Sequence, residues 1–442
     1  MSSERRTLIL TDVAVDAVGT SIAPAGILVE WAQEGDPYPL GGEILAIGTP
    51  DEIRHHHLAK GAAVLVQKNA GVMPGMINAH THLDLTHVGP QPHDPSDGFP
   101  SWGRMIMQRR ETAPSQIRLS VRQGIDRAIA GGVVGVGDIA GIGSEDALDE
   151  LRRSMLLGVS YLEYFGFGQS AEESFRRAEM AVGSLGVGQR VRLGLQPHAP
   201  YSASLELYRS LVTLGTPVCT HLAESRAEHD LIESATGDMT GLLREIGIWD
   251  ENVAGEFGSG ATPVEHLRGI IESRPMFLVH LNDVSDSDLD ILEGADCTVA
   301  YCPRSSSYFG NDAAFGPHRY REMLDRGINV VLGTDSIVNL PPQDDGTAPT
   351  LSVLPEMRLL HDRDACPPGL LMEMATTRSA RALGLDDRAF TLRPGPVAGL
   401  VCVGIDPEPA IEPIERVFRS SSAPHLLGPG ARRALSARGV GA

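Results

Sequence analysis

The sequence predicts an α/β chain: a distorted (β/α)8 barrel of the TIM type over residues 72–386, with a small β-sandwich domain built from both chain ends, residues 1–71 and 387–442. Three observations predict it. Eight short apolar stretches recur between Val72 and Ser336, most of them followed by a longer segment of helical character, which is the pattern of parallel strands with crossover helices. The two chain ends lack that alternation and read as short strands broken by Gly and Pro. Residues able to bind metals or move protons gather at the C-terminal ends of the strand candidates, where such barrels carry their chemistry.

The elements follow in order. "TLILTDVAVDAV", "GILVEWA" and "GEILAIGT" alternate or run apolar and predict a small N-terminal sheet. His55, His56 and His57 lie in "DEIRHHHLAKGA", a predicted helical turn; three consecutive side chains there point to different faces and read as solvated rather than metal-binding. The eight barrel strands are predicted in "VMPGMINAHTH", "GVVGVGDIAG", "VSYLEYFGFG", "VRLGLQPHAP", "PVCTHLAES", "MFLVHLND", "CTVAYCPRS" and "INVVLGTDS". Helical segments between them include "SQIRLSVRQGIDRAIAGG", "SAEESFRRAEMAVGSLG" and "GPHRYREMLDRG". "RPGPVAGLVCVGID" returns to strand and turn character and is expected to pair with the N-terminal strands.

Composition narrows the function classes. The 442 residues carry 37 basic and 57 acidic side chains, a net charge of −20, and that field repels phosphate backbones, so no nucleic-acid partner is expected. The five cysteines, Cys219, Cys297, Cys302, Cys366 and Cys402, lie mostly in apolar runs and form no C-x-x-C pair, which predicts reduced, buried thiols. The start, "MSSERRTLILTDVAVDAVG", has a twin Arg, but Asp12 and Asp16 interrupt any apolar signal core. No apolar run reaches the roughly 18 residues of a membrane span, so a cytoplasmic protein without a membrane partner is expected.

The strand ends carry the chemistry. "PGMINAHTHLDLTH" places His80 and His82 one residue apart, so in a strand both point to one face. His198 ends the fourth barrel strand, His221 the fifth with Glu224 three residues on, His280 the sixth and Asp335 the eighth. Singly, each has a plain alternative: His198 a turn residue, Asp335 a helix cap, Glu224 a solvated acid, His280 a satisfied core histidine. Their joint placement on one rim argues for a site. Three imidazoles and a carboxylate, His80, His82, His221 and Asp335, suit one divalent metal ion, zinc first and iron as the alternative. Such an ion lowers the pKa of a bound water toward about 7, giving a hydroxide nucleophile. Asp335 can then take the water's proton, His280 hold the nucleophile in line, and Glu224 pass a proton to the substrate. The implied chemistry is hydrolysis at an sp² carbon.

"PGMINAHTHLDL", "PHAPYSAS", "THLAES", "LVHLND", "YCPRSSS" and "LGTDS", in this order, resemble the amidohydrolase superfamily, and most closely its mononuclear deaminase and triazine-hydrolase branch. The resemblance implies metal ligands at His80, His82, His221 and Asp335, a proton-transfer pair at Glu224 and His280, and a substrate contact at His198. It also implies an enzyme that deaminates a purine-type base or nucleoside with release of ammonia. "NAHTHLDLTHVG" followed by "GFPSWGRMIMQRR" resembles the aminodeoxyfutalosine deaminases, which would place Phe99 and Trp102 in a loop over the purine; the alternative for Trp102 is a core anchor of the first helix. Three departures stand out: Ser306 replaces the Asn of "CPRSN", Gly399 replaces the Asp of the tail motif, and residues 88–110 offer no Glu for base or ribose. His87 and His93 are possible neighbours of the site through the same loop.

Three other readings compete. A dinuclear cyclic-amide hydrolase would carry a Lys at the end of the fourth strand, and "RLGLQPHAP" has none. A triazine-type chlorohydrolase would share every motif above. A non-catalytic metal-binding barrel would require loss of a ligand or of Glu224, and neither is missing. A small aminated heterocycle is the expected partner, with a homodimer the expected assembly.

Overall fold

The computed structural model describes residues 5–17, 21–185, 190–342, 349–406, 408 and 410–430. From the N-terminus, β1 (Arg6–Val15), β2 (Ser21–Ile22), β3 (Ala25–Trp31), β4 (Gly42–Gly48) and β5 (Ala63–Pro74) precede the barrel. The eight barrel strands are β6 (Met76–Thr81), β7 (Val133–Ala140), β8 (Leu157–Tyr164), β9 (Val191–Pro197), β10 (Cys219–Leu222), β11 (Met276–His280), β12 (Cys297–Tyr301) and β13 (Asn329–Leu332). Seven fall within the stretches expected from the sequence, and β8 begins two residues ahead of its own, at Leu157.

The barrel is made of two parallel four-stranded halves, β6-β7-β8-β9 and β10-β11-β12-β13. Single bridges close it: Leu195 with Val218, and Thr81 with Asp335. At the second seam the His82 amide donates to the Asp335 carbonyl at 3.0 Å, while the Asn78 side chain donates to Thr334 Oγ1 at 2.8 Å and accepts from its amide at 3.0 Å. These narrow seams are the distortion, and the second brings the first and last barrel strands together at their polar ends. Strands β6, β7 and β8 are buried along their whole length, as parallel strands covered on both faces must be. The helix Pro114–Ala130 shows how the cover is built: Val121, Ile125, Ala128 and Ile129 recur at helical spacing and are all buried.

Where β7 and β8 pair, Gly158 has φ +133°, and a side chain there would overlap the Val136 carbonyl oxygen. Gly158→Ala is therefore expected to destabilise the barrel by about 1–3 kcal/mol through overpacking, read as a lower midpoint in urea unfolding; an unchanged midpoint would refute this close approach.

The chain ends pair as one eight-stranded sheet, in the order β14 (Gly395–Val397), β4, β3, β1, β5, β15 (Leu400–Gly404), β16 (Pro424–Leu426), with β2 beside β1. The described strands of the two chain ends make a single hydrogen-bonded sheet. Separate apolar clusters lie among its strands, one including Ile9, Ile27, Val29 and Trp31, the other Leu8, Leu10 and Leu28 with Ile53. Gly399 explains the departure from the tail motif: its carbonyl accepts from the Gly75 amide at 2.8 Å, and a Cβ there would stand 2.6 Å from Val134 Cγ1. His55 and His57 are exposed on the predicted turn, and all five cysteines are buried and free. No described helix is long and apolar enough to cross a membrane.

Candidate metal centre and active site

The strand ends converge as expected. His80 and His82, on β6 and just beyond it, place their Nε2 atoms 3.5 and 3.4 Å from Asp335 Oδ1. The His221 ring, from β10, lies 5.2 Å from that of His80 and 5.4 Å from that of His82, centre to centre. His280, ending β11, stacks on His221 at 5.4 Å, and its Nε2 is 3.3 Å from Glu224 Oε1. Ligand atoms fall within 4.8 Å of one another in the sets His80–His82–Asp335, His80–His221–His280 and Glu224–His280–Asp335. His80, His82, His221, Glu224, His280 and Asp335 are all buried.

The backbone is bent to achieve this. Ala223, His280, Leu281 and Asp335 have φ of +51°, +78°, +52° and +61°, a left-handed region that costs non-glycine residues about 1–3 kcal/mol each. All four sit just after or at the end of a barrel strand, where the turn aims a side chain inward. Buried hydrogen bonds hold these corners: the Glu228 carboxylate accepts from the amides of Ala223 and Glu224 at 2.9 and 2.8 Å, and Asn282 Nδ2 donates to the Glu224 carbonyl at 3.1 Å.

Electrostatics prepare the imidazoles as neutral ligands. Burial pulls His82 and His280 down to about 3 and His221 well below its ordinary value. Burial opposes ionisation of Asp335, but the imidazoles of His80, His280 and His82 more than offset it, and its carboxyl sits below the ordinary range. Glu224 moves the other way: burial, then the charges of Asp335 and Glu228, raise it well above a normal carboxylate. Neither ring nitrogen of His80 has a hydrogen-bond partner among the described residues, although both are buried. Leaving such atoms unpaired costs about 1–3 kcal/mol each, and a cation accepting an imidazole lone pair removes that cost at one of them. The donor set of imidazoles and a carboxylate fits a divalent ion.

The Amidohydrolase family model matches residues 72–421. The chain belongs to the amidohydrolase family. Members of this family bind a divalent metal, in agreement with the donor set above. Among characterised relatives, the aminodeoxyfutalosine deaminase of Deinococcus radiodurans is 29% identical over 356 residues, covering 75% of this chain and 76% of the relative. A 5-methylthioadenosine/S-adenosylhomocysteine deaminase of Syntrophomonas wolfei is 26% identical over 385 residues, 82% of this chain and 78% of the relative. The amidohydrolase fold is shared with the Helicobacter pylori aminofutalosine deaminase crystallised with methylthio-coformycin, at TM-score 0.72, 18% identity and coverage of 96% and 99% of the two chains. It is shared also with a zinc-bound adenosine deaminase of Xanthomonas campestris at TM-score 0.68, 17% identity and coverage of 94% and 89%.

Further residues of this amidohydrolase surround the centre, and the sequence pattern did not single them out. Ser305 Oγ donates to Asp335 Oδ2 at 2.8 Å, one position before the Ser306 that departs from the family motif. Gln196, near the end of β9, sets its amide nitrogen 3.2 Å from His221 Nδ1. On β8, Glu163 meets both Arg110 and His198; on β7, Asp138 accepts from the Leu83 amide and from Ser160. An acid ending an otherwise apolar strand, "DIAG" or "LEYF", was the available signal. Ser305→Ala is expected to weaken metal affinity about 10–100-fold by freeing the Asp335 carboxylate, measured by competition with a chromogenic chelator; unchanged affinity would remove Ser305 from this role.

Trp102 lies in the helix Phe99–Arg109, half-buried, its ring 5.6 Å from Phe99 and 5.2 Å from Phe309. Its indole N–H is buried without a partner among the described residues. His93 stacks on Tyr308 at 5.0 Å, and His87 bonds Ser120 and the Arg109 carbonyl, so both serve the loop after β6.

Proposed function

We propose that this amidohydrolase is a mononuclear, zinc-dependent aminohydrolase that deaminates a purine-type base or nucleoside of the aminodeoxyfutalosine, S-adenosylhomocysteine or adenosine class. The observation that carries this reading is the Glu224–His280 pair, 3.3 Å apart, beside the His80–His82–His221–Asp335 donor set. The names of the relatives supply the substrate class. The absence of Lys from β9 favours a single metal, with iron as the alternative ion.

When bound, the ion supplies Lewis acidity and lowers the pKa of a water molecule it holds. The chain's own residues do the rest. His80, His82, His221 and Asp335 would hold the ion. Asp335, ionised and 3.4–3.5 Å from two imidazoles, takes a proton from the attacking water. Glu224, which burial and the charges of Asp335 and Glu228 push toward its protonated form, gives a proton to a ring nitrogen of the heterocycle, then carries another to the departing amine. His280, with its Nε2 3.3 Å from Glu224 Oε1, holds the nucleophile in line. One C–O bond forms, one C–N bond breaks, and water and aminoheterocycle become oxo-heterocycle and ammonia. His198 and Trp102 contact the base, His198 by its ring nitrogen and Trp102 by its face.

The test is ammonia release by zinc- or iron-loaded protein from aminodeoxyfutalosine, S-adenosylhomocysteine, adenosine, guanine and cytosine. Release from one purine establishes the reading and names the substrate. Silence across the panel with metal bound refutes it and turns attention to triazine dechlorination or cyclic-amide hydrolysis.

A further inference from the structure

A buried charge relay runs from the loop after β6 to the proposed base-binding face, and of its members the reaction proposed for the metal centre uses only His198. Arg110 follows the helix Phe99–Arg109 and closes it, its amide donating to the Ile106 carbonyl at 2.9 Å. Its guanidinium, only 13% exposed, lies 3.3 Å from Asp84 Oδ2 and donates to Glu163 Oε2 at 3.1 Å. Glu163 Oε2 also accepts from the Ile142 amide at 3.0 Å. The other oxygen of Glu163 faces His198 Nε2 at 3.6 Å. On its far side His198 Nδ1 meets Ser202 Oγ at 2.6 Å, and its ring is boxed by Phe165, Tyr201 and His221 at 4.7, 5.5 and 5.0 Å.

The chemistry of this relay is directional. Arg110 faces two buried carboxylates, Asp84 and Glu163, and its charge holds the Glu163 carboxyl below the ordinary carboxylate range. Ionised Glu163 favours a proton on His198 Nε2, which leaves Nδ1 to accept from the Ser202 hydroxyl. At 3.6 Å the carboxylate is too far to take a full hydrogen bond, so the Nε2–H stays available to an acceptor on a bound heterocycle. The same guanidinium ties down the helix that carries Phe99 and Trp102, which is pinned from outside by Arg109 Nη1 donating to Gln91 Oε1 at 2.7 Å.

We propose that Arg110 and Glu163 are positioning residues that hold His198 as an Nε2–H donor and fix the Phe99–Trp102 helix over the pocket, so that they set substrate binding without touching the metal. The inference rests on the reading of His198 as a base contact in a deaminase. It assigns a binding effect to a residue pair outside the His80–His82–His221–Asp335 donor set.

The test uses the full-length, metal-loaded protein with Glu163→Gln and Arg110→Lys, each compared with wild type by metal content, steady-state kinetics and ¹⁵N NMR of labelled histidine. In wild type, His198 is expected to be protonated on Nε2, and Glu163→Gln to lose that preference. In both variants KM is expected to rise about three- to tenfold, the worth of one oriented hydrogen bond, with kcat and metal content unchanged. Should Glu163→Gln fold poorly, the wild-type spectrum and Arg110→Lys still decide. An Nδ1-protonated His198 in wild type overturns the proposal, as does loss of kcat or metal in parallel with KM. If wild-type protein deaminates nothing while His198 is Nε2-protonated in a Glu163-dependent manner, the positioning role stands and the proposed reaction falls.

Discussion

Glu224→Gln is expected to lower kcat by about 10²–10⁴-fold, the usual worth of a positioned proton-transfer group, while metal content and Tm are retained. The amide keeps the shape of the side chain and can still lie beside His280 Nε2, now 3.3 Å from Glu224 Oε1, but it cannot give and retake a proton. Stability should not fall. Burial raises the carboxyl of Glu224 in the folded state well above its ordinary value, so folding disfavours its charged form, a cost that grows as pH rises above the unfolded-state value and that a neutral amide does not bear. Single-turnover assays at saturating substrate, with zinc measured on the same samples, check the prediction. A variant with wild-type kcat would show that Glu224 moves no proton.

Removing the metal is expected to have the second largest effect, on stability as well as turnover. The site holds an imidazole whose two nitrogens have no hydrogen-bond partner among the described residues, and four residues at its strand ends have left-handed backbone. An ion that binds only the folded chain stabilises it by mass action, roughly 4 kcal/mol at a thousand times its Kd. Dialysis against a chelator should therefore abolish ammonia release and lower Tm, and zinc should restore both. His80→Ala should show the low Tm and respond weakly to zinc. A chelated protein that keeps its Tm and its activity would sink the metal assignment.

Much of this architecture is legible in the order of residues along the chain. Period-two and apolar runs place all eight barrel strands, because strands buried on both faces must be apolar throughout and cannot be disguised. His80, His82, His221, Glu224, His280 and Asp335 stand out because polar residues at the ends of such runs are costly unless they are used. The partners of those residues are less visible. Glu163 and Asp138 end strands whose neighbours look bare, and Arg110 is one of two adjacent arginines, of which only the second is drawn inward. Burial of a charge depends on what covers it, and for Arg110 that cover comes from Asp84 and Glu163, distant in the chain.

The sequence by itself determined the family, the barrel, the residues able to hold a metal and the class of chemistry, since each depends on residue type at a local spacing. Only the tertiary structure decided the strand order of the sheet made by the two chain ends, that the β6–β13 seam brings His80 and His82 against Asp335, and that Arg110 reaches His198 through Glu163. Those are contacts between segments far apart in sequence, and their geometry follows from how the barrel closes rather than from any local pattern.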